Sequence, residues 1–278
     1  MSNLLQRSLS GIIYVALIAG ALIAGPVYAL TLFTFLGIVA LFEFRHITHV
    51  GAGAGAAGTV AACLDAIMIV SMAWAPLLFS LPIGLMAAII AIICLYGVCR
   101  MTVALFQSRG EAFADTARSA LAVMYIGIGI ASLNLICTIG TRGCQLALAM
   151  FVMIWLNDTG AYCTGSLLGK HPMWKRLSPK KSWEGFVGGM IFCIGAGMAA
   201  WRLIGQMSPA AWGIMSVIVC AFSTWGDLFE SLMKRTLGIK DSGNIIPGHG
   251  GILDRIDSLL FAAPATAFYL MVLDALSM

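Results

Sequence analysis

Residues 184–204 read EGFVGGMIFCIGAGMAAWRLI, with Glu184 at one end and Arg202 near the other as the only charges. Twenty-one residues of helix span about 30 Å, the thickness of a bilayer's hydrocarbon core. Residues 59–75 and 79–99 have the same character. Outward from these runs, Gly25-Pro26 divides a longer apolar stretch, Gly11 to Phe44, because proline breaks the helical ladder. Further spans are expected at about 118–138, 144–161, 209–228 and 257–276, with the helix from 209 continuing to about Lys234. The expectation is an all-α polytopic membrane protein of about nine transmembrane helices.

Composition agrees. Of 278 residues, 60% are hydrophobic and 10% charged, and the mean hydropathy is +0.96. Soluble domains carry nearer a quarter charged residues, so a soluble globular protein and a disordered chain are both excluded. The eight cysteines form no CxxC pair and read as small packing residues.

The basic residues order the map. With the N-terminus in the cytoplasm, that side receives Arg7, Arg45, Arg100, Arg109, Arg118, Lys170, Lys175, Arg176, Lys180, Lys181, Lys234, Arg235, Lys240 and Arg255. The other side receives Arg142 and Arg202. This is the positive-inside pattern, and it puts the C-terminus on the opposite side. The whole of 1–278 then reads as a single membrane domain. Residues 1–140 would give support or lipid access, and 141–278 would be a catalytic half whose loops 168–183 and 230–257 face one compartment.

Those loops hold the chemistry. Residues 231–257, SLMKRTLGIKDSGNIIPGHGGILDRID, combine four cations with three aspartates, a histidine and a glycine-rich turn. Carboxylates beside cations at a membrane surface suit a phosphate substrate with Mg²⁺, which prefers hard oxygen ligands. The glycines let backbone approach a ligand closely. Asp254 and Asp257 share a helix face. Asp227 lies about 10 Å below the end of its helix, where a charge is costly and usually functional. Asp227 and Asp254 are therefore the expected metal pair. Asp158 repeats the pattern at the end of its span, with a helix cap as its structural alternative. Lys180 and Lys181 precede a helix N-terminus and form an expected anion site.

Three other features carry less. Gly53 to Gly58 matches GxGxxG, but no strand precedes it. Glu43, His46 and His49 are spaced for one helix face but lack a fourth metal ligand. Asp65 lies in its apolar run, where it could pair within the bundle, and has no assigned role.

The 231–257 segment closely resembles the signature of the phosphatidate cytidylyltransferases, also called CDP-diglyceride synthetases. The matching positions are Ser231, Lys234-Arg235, Lys240-Asp241, His249-Gly250-Gly251, Asp254-Arg255 and Asp257. Asp158-Thr159-Gly160-Ala161-Tyr162 and Ser178 to Gly185 also look like blocks of that family. Cys163 and Ser166 depart from it where an aromatic and a basic residue are usual, and Ser182 stands for a common threonine. The resemblance implies nine spans, a homodimer, and an Mg²⁺-dependent site at the cytoplasmic face of the cell membrane, with a second metal ion left open.

The implied reaction joins CTP to phosphatidic acid, giving CDP-diacylglycerol and pyrophosphate. Asp227, Asp254, Asp257, Lys234, Arg235 and His249 would be catalytic. Asp158, Ser178, Lys180, Lys181, Ser182, Ser231, Lys240, Asp241, Gly250, Gly251 and Arg255 would bind substrate. No nucleic-acid partner is implied. The competing expectations are a CTP-dependent kinase of polyprenol-type lipids and a secondary transporter, whose polar groups would cluster at the midplane.

Overall fold

The structure, a computed structural model, describes residues 3–51, 55–78, 83–107, 111–243, 245 and 250–277. It is an all-α polytopic membrane protein. The chain runs through α1 (Asn3–Ala24), α2 (Pro26–Ile47), α3 (Gly55–Trp74), α4 (Ile83–Leu105), α5 (Ala112–Ala122), α6 (Ile128–Thr138), α7 (Gly143–Leu168), α8 (Trp183–Ile204), α9 (Pro209–Thr236) and α10 (Leu253–Ser277). Among the described residues, seven helical segments are long and apolar enough to cross a bilayer, α5 and α6 counting as one. Shorter apolar stretches, Leu9–Ala24 and Ala91–Leu105, lie in α1 and α4.

Helix ends fall where their chemistry puts them. Pro26 opens α2. Ser208 accepts the Ala211 N–H at 3.2 Å and Pro209 begins α9, the usual N-terminal arrangement. Gly205, at φ 68°, ends α8 in a left-handed conformation that disfavours a side chain.

Between α5 and α6, residues Val123–Gly127 form a π-helical turn, so Ala112–Thr138 is one rod with an irregular middle. α6 lies within the bundle. It packs on α2, α3, α7 and α10, with Ile130, Leu133 and Ile136 fully buried.

Two interfaces beside the charged residues bring backbones close together. Lipid tails are as apolar as leucine, so helices in a bilayer associate largely through tight packing of small residues. On α7 and α8, a Cβ at Gly189 would stand 2.5 Å from Asn157 Oδ1, and one at Gly185 2.9 Å from the Ala161 carbonyl. On α9 and α10, a Cβ at Gly226 would stand 2.5 Å from the Asp257 carbonyl. Gly226 thus lets α9 and α10, which carry Asp227 and Asp257, approach closely, while Gly185 and Gly189 seat α8 against α7, which carries Asp158.

The structure corrects several sequence readings. Arg45 and Arg100, expected in cytoplasmic loops, lie inside α2 and α4 and are buried. Arg45 Nη1 stands 2.5 Å from Asp65 Oδ2, and Arg100 Nε stands 3.4 Å from Asp65 Oδ1. Ser119 and Tyr96 donate to the same carboxylate at 2.6 and 2.9 Å. Asp65 is thus the partner that lets two cations stay within the bundle. Asp158 is no helix cap, since α7 continues to Leu168. The loop 168–183 contains an antiparallel hairpin, β1 (Pro172–Trp174) with β2 (Ser178–Ser182). Glu43 is buried while His46 and His49 are exposed, so the three share no site. Arg109, His249 and residues 53–54 of the glycine-rich match lie outside the described residues.

Candidate active site

The site lies where α7, α9 and the β2–α8 junction meet the start of α10. Ser182 caps α8 by accepting the Gly185 N–H at 3.1 Å. Glu184 accepts the backbone N–H groups of Lys170 and His171, both at 3.2 Å, and its Oε1 stands 2.5 Å from His171 Nδ1. The hairpin is thereby fastened to α8, and Lys180 and Lys181 are held above the helix start.

Asp158, Lys180, Lys181, Ser182, Thr224 and Asp227 line a cavity of about 280 Å³. Lys181 Nζ stands 2.5 Å from Asp227 Oδ2, and the Ser231 hydroxyl donates to Oδ1 at 3.3 Å. A second cavity of about 210 Å³ reaches Asp158 from the other side, bordered by Asp254, Arg255 and Asp257. Asp158 is exposed to water, because it borders both cavities. Asp158, Asp227 and Asp257 stand close enough to feel one another's charge.

Asp254 has a different environment. Its Oδ1 accepts from Lys234 Nζ at 2.7 Å, and its Oδ2 accepts the N–H groups of Ser242 and Gly251 at 2.9 and 2.8 Å. Gly250, at φ 83°, turns the chain directly against this carboxylate; a Cβ there would stand 2.5 Å from Asp254 Oδ2. A Cβ on Gly251 would meet Ser242 Oγ at 2.5 Å and Glu43 Oε2 at 2.6 Å. Lys234 also reaches Glu230 at 2.6 Å, and so joins α9 to α10 between two carboxylates.

Other expected residues stand further out. Arg235 is exposed and donates to the Ile239 carbonyl at 3.4 Å, closing the end of α9. Lys240 and Asp241 are exposed, and Ser178 is half-buried at the start of β2.

Sequence reasoning missed Glu43 as part of this region. Its two oxygens accept the N–H groups of Ile252 and Leu253 at 2.9 and 2.7 Å, which caps α10 from α2. A buried acid near the end of an apolar helix was the available signal. Glu230, four residues before Lys234, was the other.

Among the described residues, no three His, Cys, Asp or Glu side chains stand ready as a closed metal cage. Mg²⁺ seldom uses such a cage: it keeps waters and substrate phosphates beside one or two carboxylates. The all-carboxylate donors here, Asp227 with Asp257 and Asp158 nearby, fit that pattern. Asp227 and Asp254 each have both oxygens engaged by protein groups, Lys181 and Ser231 for the first and Lys234, Ser242 and Gly251 for the second, so a cation would replace one of those contacts at either.

Comparison with known proteins gives this arrangement a context. A phosphatidate cytidylyltransferase of Staphylococcus saprophyticus is 42% identical over 154 residues, covering 55% of this chain and 58% of the relative. Proteins of the same name from Staphylococcus aureus and Staphylococcus haemolyticus are each 40% identical, over 162 and 164 residues, with the same coverage. The matched segment therefore spans somewhat over half the length of these relatives. The sequence model described as the cytidylyltransferase family reaches much further, matching residues 5–273. The hairpin, the carboxylate site and all but the outermost ends of the helices fall inside that match, and the chain belongs to the cytidylyltransferase family.

Proposed function

We propose that this protein transfers a cytidylyl group from CTP to phosphatidic acid, releasing pyrophosphate and forming CDP-diacylglycerol. The observation that carries this reading is the lysine-bordered cavity opening beside carboxylates at one end of a membrane-embedded bundle. A charged soluble nucleotide needs cations and an aqueous approach. A lipid acceptor needs the reacting atoms to lie near the bilayer. The name of the similar staphylococcal proteins, phosphatidate cytidylyltransferase, agrees with both.

In this reading Lys180 and Lys181 hold the nucleotide's phosphates, and Lys181 exchanges its contact with Asp227 for one with phosphate. Asp227 and Asp254 would hold Mg²⁺, with Asp257 and Asp158 beside them; the bound cation would supply neutralisation of phosphate charge. Asp254, held by Lys234 and two backbone N–H groups, fixes the loop over the site. An oxygen of the lipid phosphate attacks the α-phosphorus of CTP in line. The bond to the β-phosphate bridging oxygen breaks, and pyrophosphate leaves with the electron pair. The attacking oxygen is already ionised, so positioning and charge stabilisation carry the step without a covalent nucleophile.

The reading extends to nine spans in the cell membrane, with the N-terminus and the site cytoplasmic and the C-terminus opposite. The basic residues of 170–181 and 234–255 support that orientation. The resemblance alone supports a homodimer.

The test is product formation by purified protein given phosphatidic acid, CTP and Mg²⁺, with and without EDTA. Pyrophosphate and a CDP-lipid are expected together, only with lipid and metal present. Release of CDP in place of pyrophosphate would overturn the reaction. Asp227→Asn should lower turnover by of order 10²-fold or more while the protein stays folded. Near-normal turnover would remove Asp227 from the metal site.

A further inference from the structure

The cavity between α1, α7 and α10 differs in character from the lysine-lined one. Part of its lining is charged: Arg255 with Asp158, Asp254 and Asp257. Another part is apolar, formed by Val15 of α1, Trp155 of α7 and Leu259 of α10. α1 packs on α2 and α7, and its outer face is bare: Ile12 is 65% exposed, Ile13 55% and Ile23 77%. In a membrane that face meets lipid. Val15, 39% exposed, borders both the cavity and this flank. Tyr14 ties the same helix to the charged part, its hydroxyl donating to the Arg255 carbonyl at 3.1 Å.

We infer that this cavity receives the phosphate and glycerol backbone of the lipid acceptor, admitted along α1, while the lysine-lined cavity receives the nucleotide. The inference rests on the reaction proposed above. A phosphomonoester lipid needs a cation beside the reacting centre and an apolar exit for its chains. Arg255 supplies the first, as guanidinium groups pair readily with phosphate. Val15, Trp155 and Leu259 supply the second. Asp158 belongs to both cavities, so substrates seated on its two sides would bring the lipid phosphate against the nucleotide's α-phosphate. Released pyrophosphate shares the phosphate chemistry but gains nothing from an apolar wall. The first helix thereby becomes part of the substrate site, although the residues resembling known blocks all lie beyond position 150.

Two measurements test this. Val15→Trp fills the rim of the cavity. It should raise KM for phosphatidic acid in mixed micelles at least about tenfold, with KM for CTP and the unfolding midpoint unchanged. Ile23→Trp, on the lipid-facing surface of the same helix, should change neither constant. An unchanged lipid KM in Val15→Trp, or a raised CTP KM, overturns the inference. In the second measurement, phosphatidic acid with a photoreactive group close to its glycerol is cross-linked to the unmodified protein and the adduct mapped. Label on residues 10–15 or 151–155, displaced by unlabelled phosphatidic acid, is expected. Label in the apolar groove beside Met124 and Phe268 moves lipid access to α6, α9 and α10. Displacement by pyrophosphate alone reassigns the cavity to the leaving group. If the unmodified protein makes CDP-lipid and the label lies elsewhere, only this inference fails. If it makes none, the reaction reading fails first.

Discussion

Replacing Glu43 tests how the site is held. Glu43 lies on α2, 209 residues from Ile252, yet each of its oxygens accepts one backbone N–H at the start of α10. Hydrogen bonds to a charged group contribute about 1.5–3 kcal/mol each. Glu43→Ala removes both, so the two together suggest a loss of roughly 3–6 kcal/mol as an upper bound, reduced where water fills the gap. Glu43→Gln keeps the shape but offers one acceptor, and turns its NH₂ toward a backbone donor. Its loss should be about 2–3 kcal/mol. The first turn of α10 carries Asp254, whose loop folds over the site, and a misplacement of about 1 Å can cost 10²-fold in rate. We expect Glu43→Gln to melt earlier in detergent and to lose about 10- to 100-fold in kcat, with KM for CTP nearly unchanged. Glu43→Asp keeps the charge and should recover part of both losses. Unfolding and kcat matching the parent protein in Glu43→Ala would refute the idea that α2 anchors the catalytic loop.

Other perturbations probe the frame. Asp65→Asn leaves Arg45 and Arg100 buried without a countercharge and should destabilise by about 3–5 kcal/mol. Thermal unfolding would show it, and the triple change Arg45→Met, Asp65→Leu, Arg100→Met should recover most of the loss. Gly188 packs against the Thr164 side chain, so Gly188→Leu should force α7 and α8 apart and cost at least about 1–3 kcal/mol. Turnover should fall with it, because Asp158 and Lys181 sit on the two sides of that seam; unchanged melting and turnover would count against tight packing there.

Much of this molecule was legible before the structure. Runs such as 184–204 have one stable answer in a bilayer, and Gly25-Pro26 can only interrupt a helix. Asp254 falls in the first turn of α10, as the charge at its edge indicated. What stayed hidden depends on partners distant in sequence. Hydropathy ends a span at Arg45 or Arg100, because it cannot know that Asp65 waits 20 residues after one and 35 before the other. Glu43 was read with its neighbours His46 and His49, whereas its real partners are backbone groups of α10. The β1–β2 hairpin has strands of three and five residues, too short to impose a pattern on a basic loop. The shared position of Asp158 between two cavities follows from how α7 packs against α1, α8, α9 and α10, which no local pattern encodes.

The π turn at Val123–Gly127 has a consequence for how this helix tolerates change. Such a turn accommodates one residue more than a regular α-helix would. One residue corresponds to about 100° of rotation, so the halves of the rod are phased independently. The half before it directs Ser119 to Asp65, and the half after it lays Gly129 against Leu260 of α10 and sends Asn134 to the Ala73 carbonyl. Deleting a single residue from the turn would regularise the helix and swing one set of contacts away from its partners. A length change elsewhere in a loop is absorbed locally; here it would be transmitted as a rotation, and this rod is where insertions and deletions should be least forgiven.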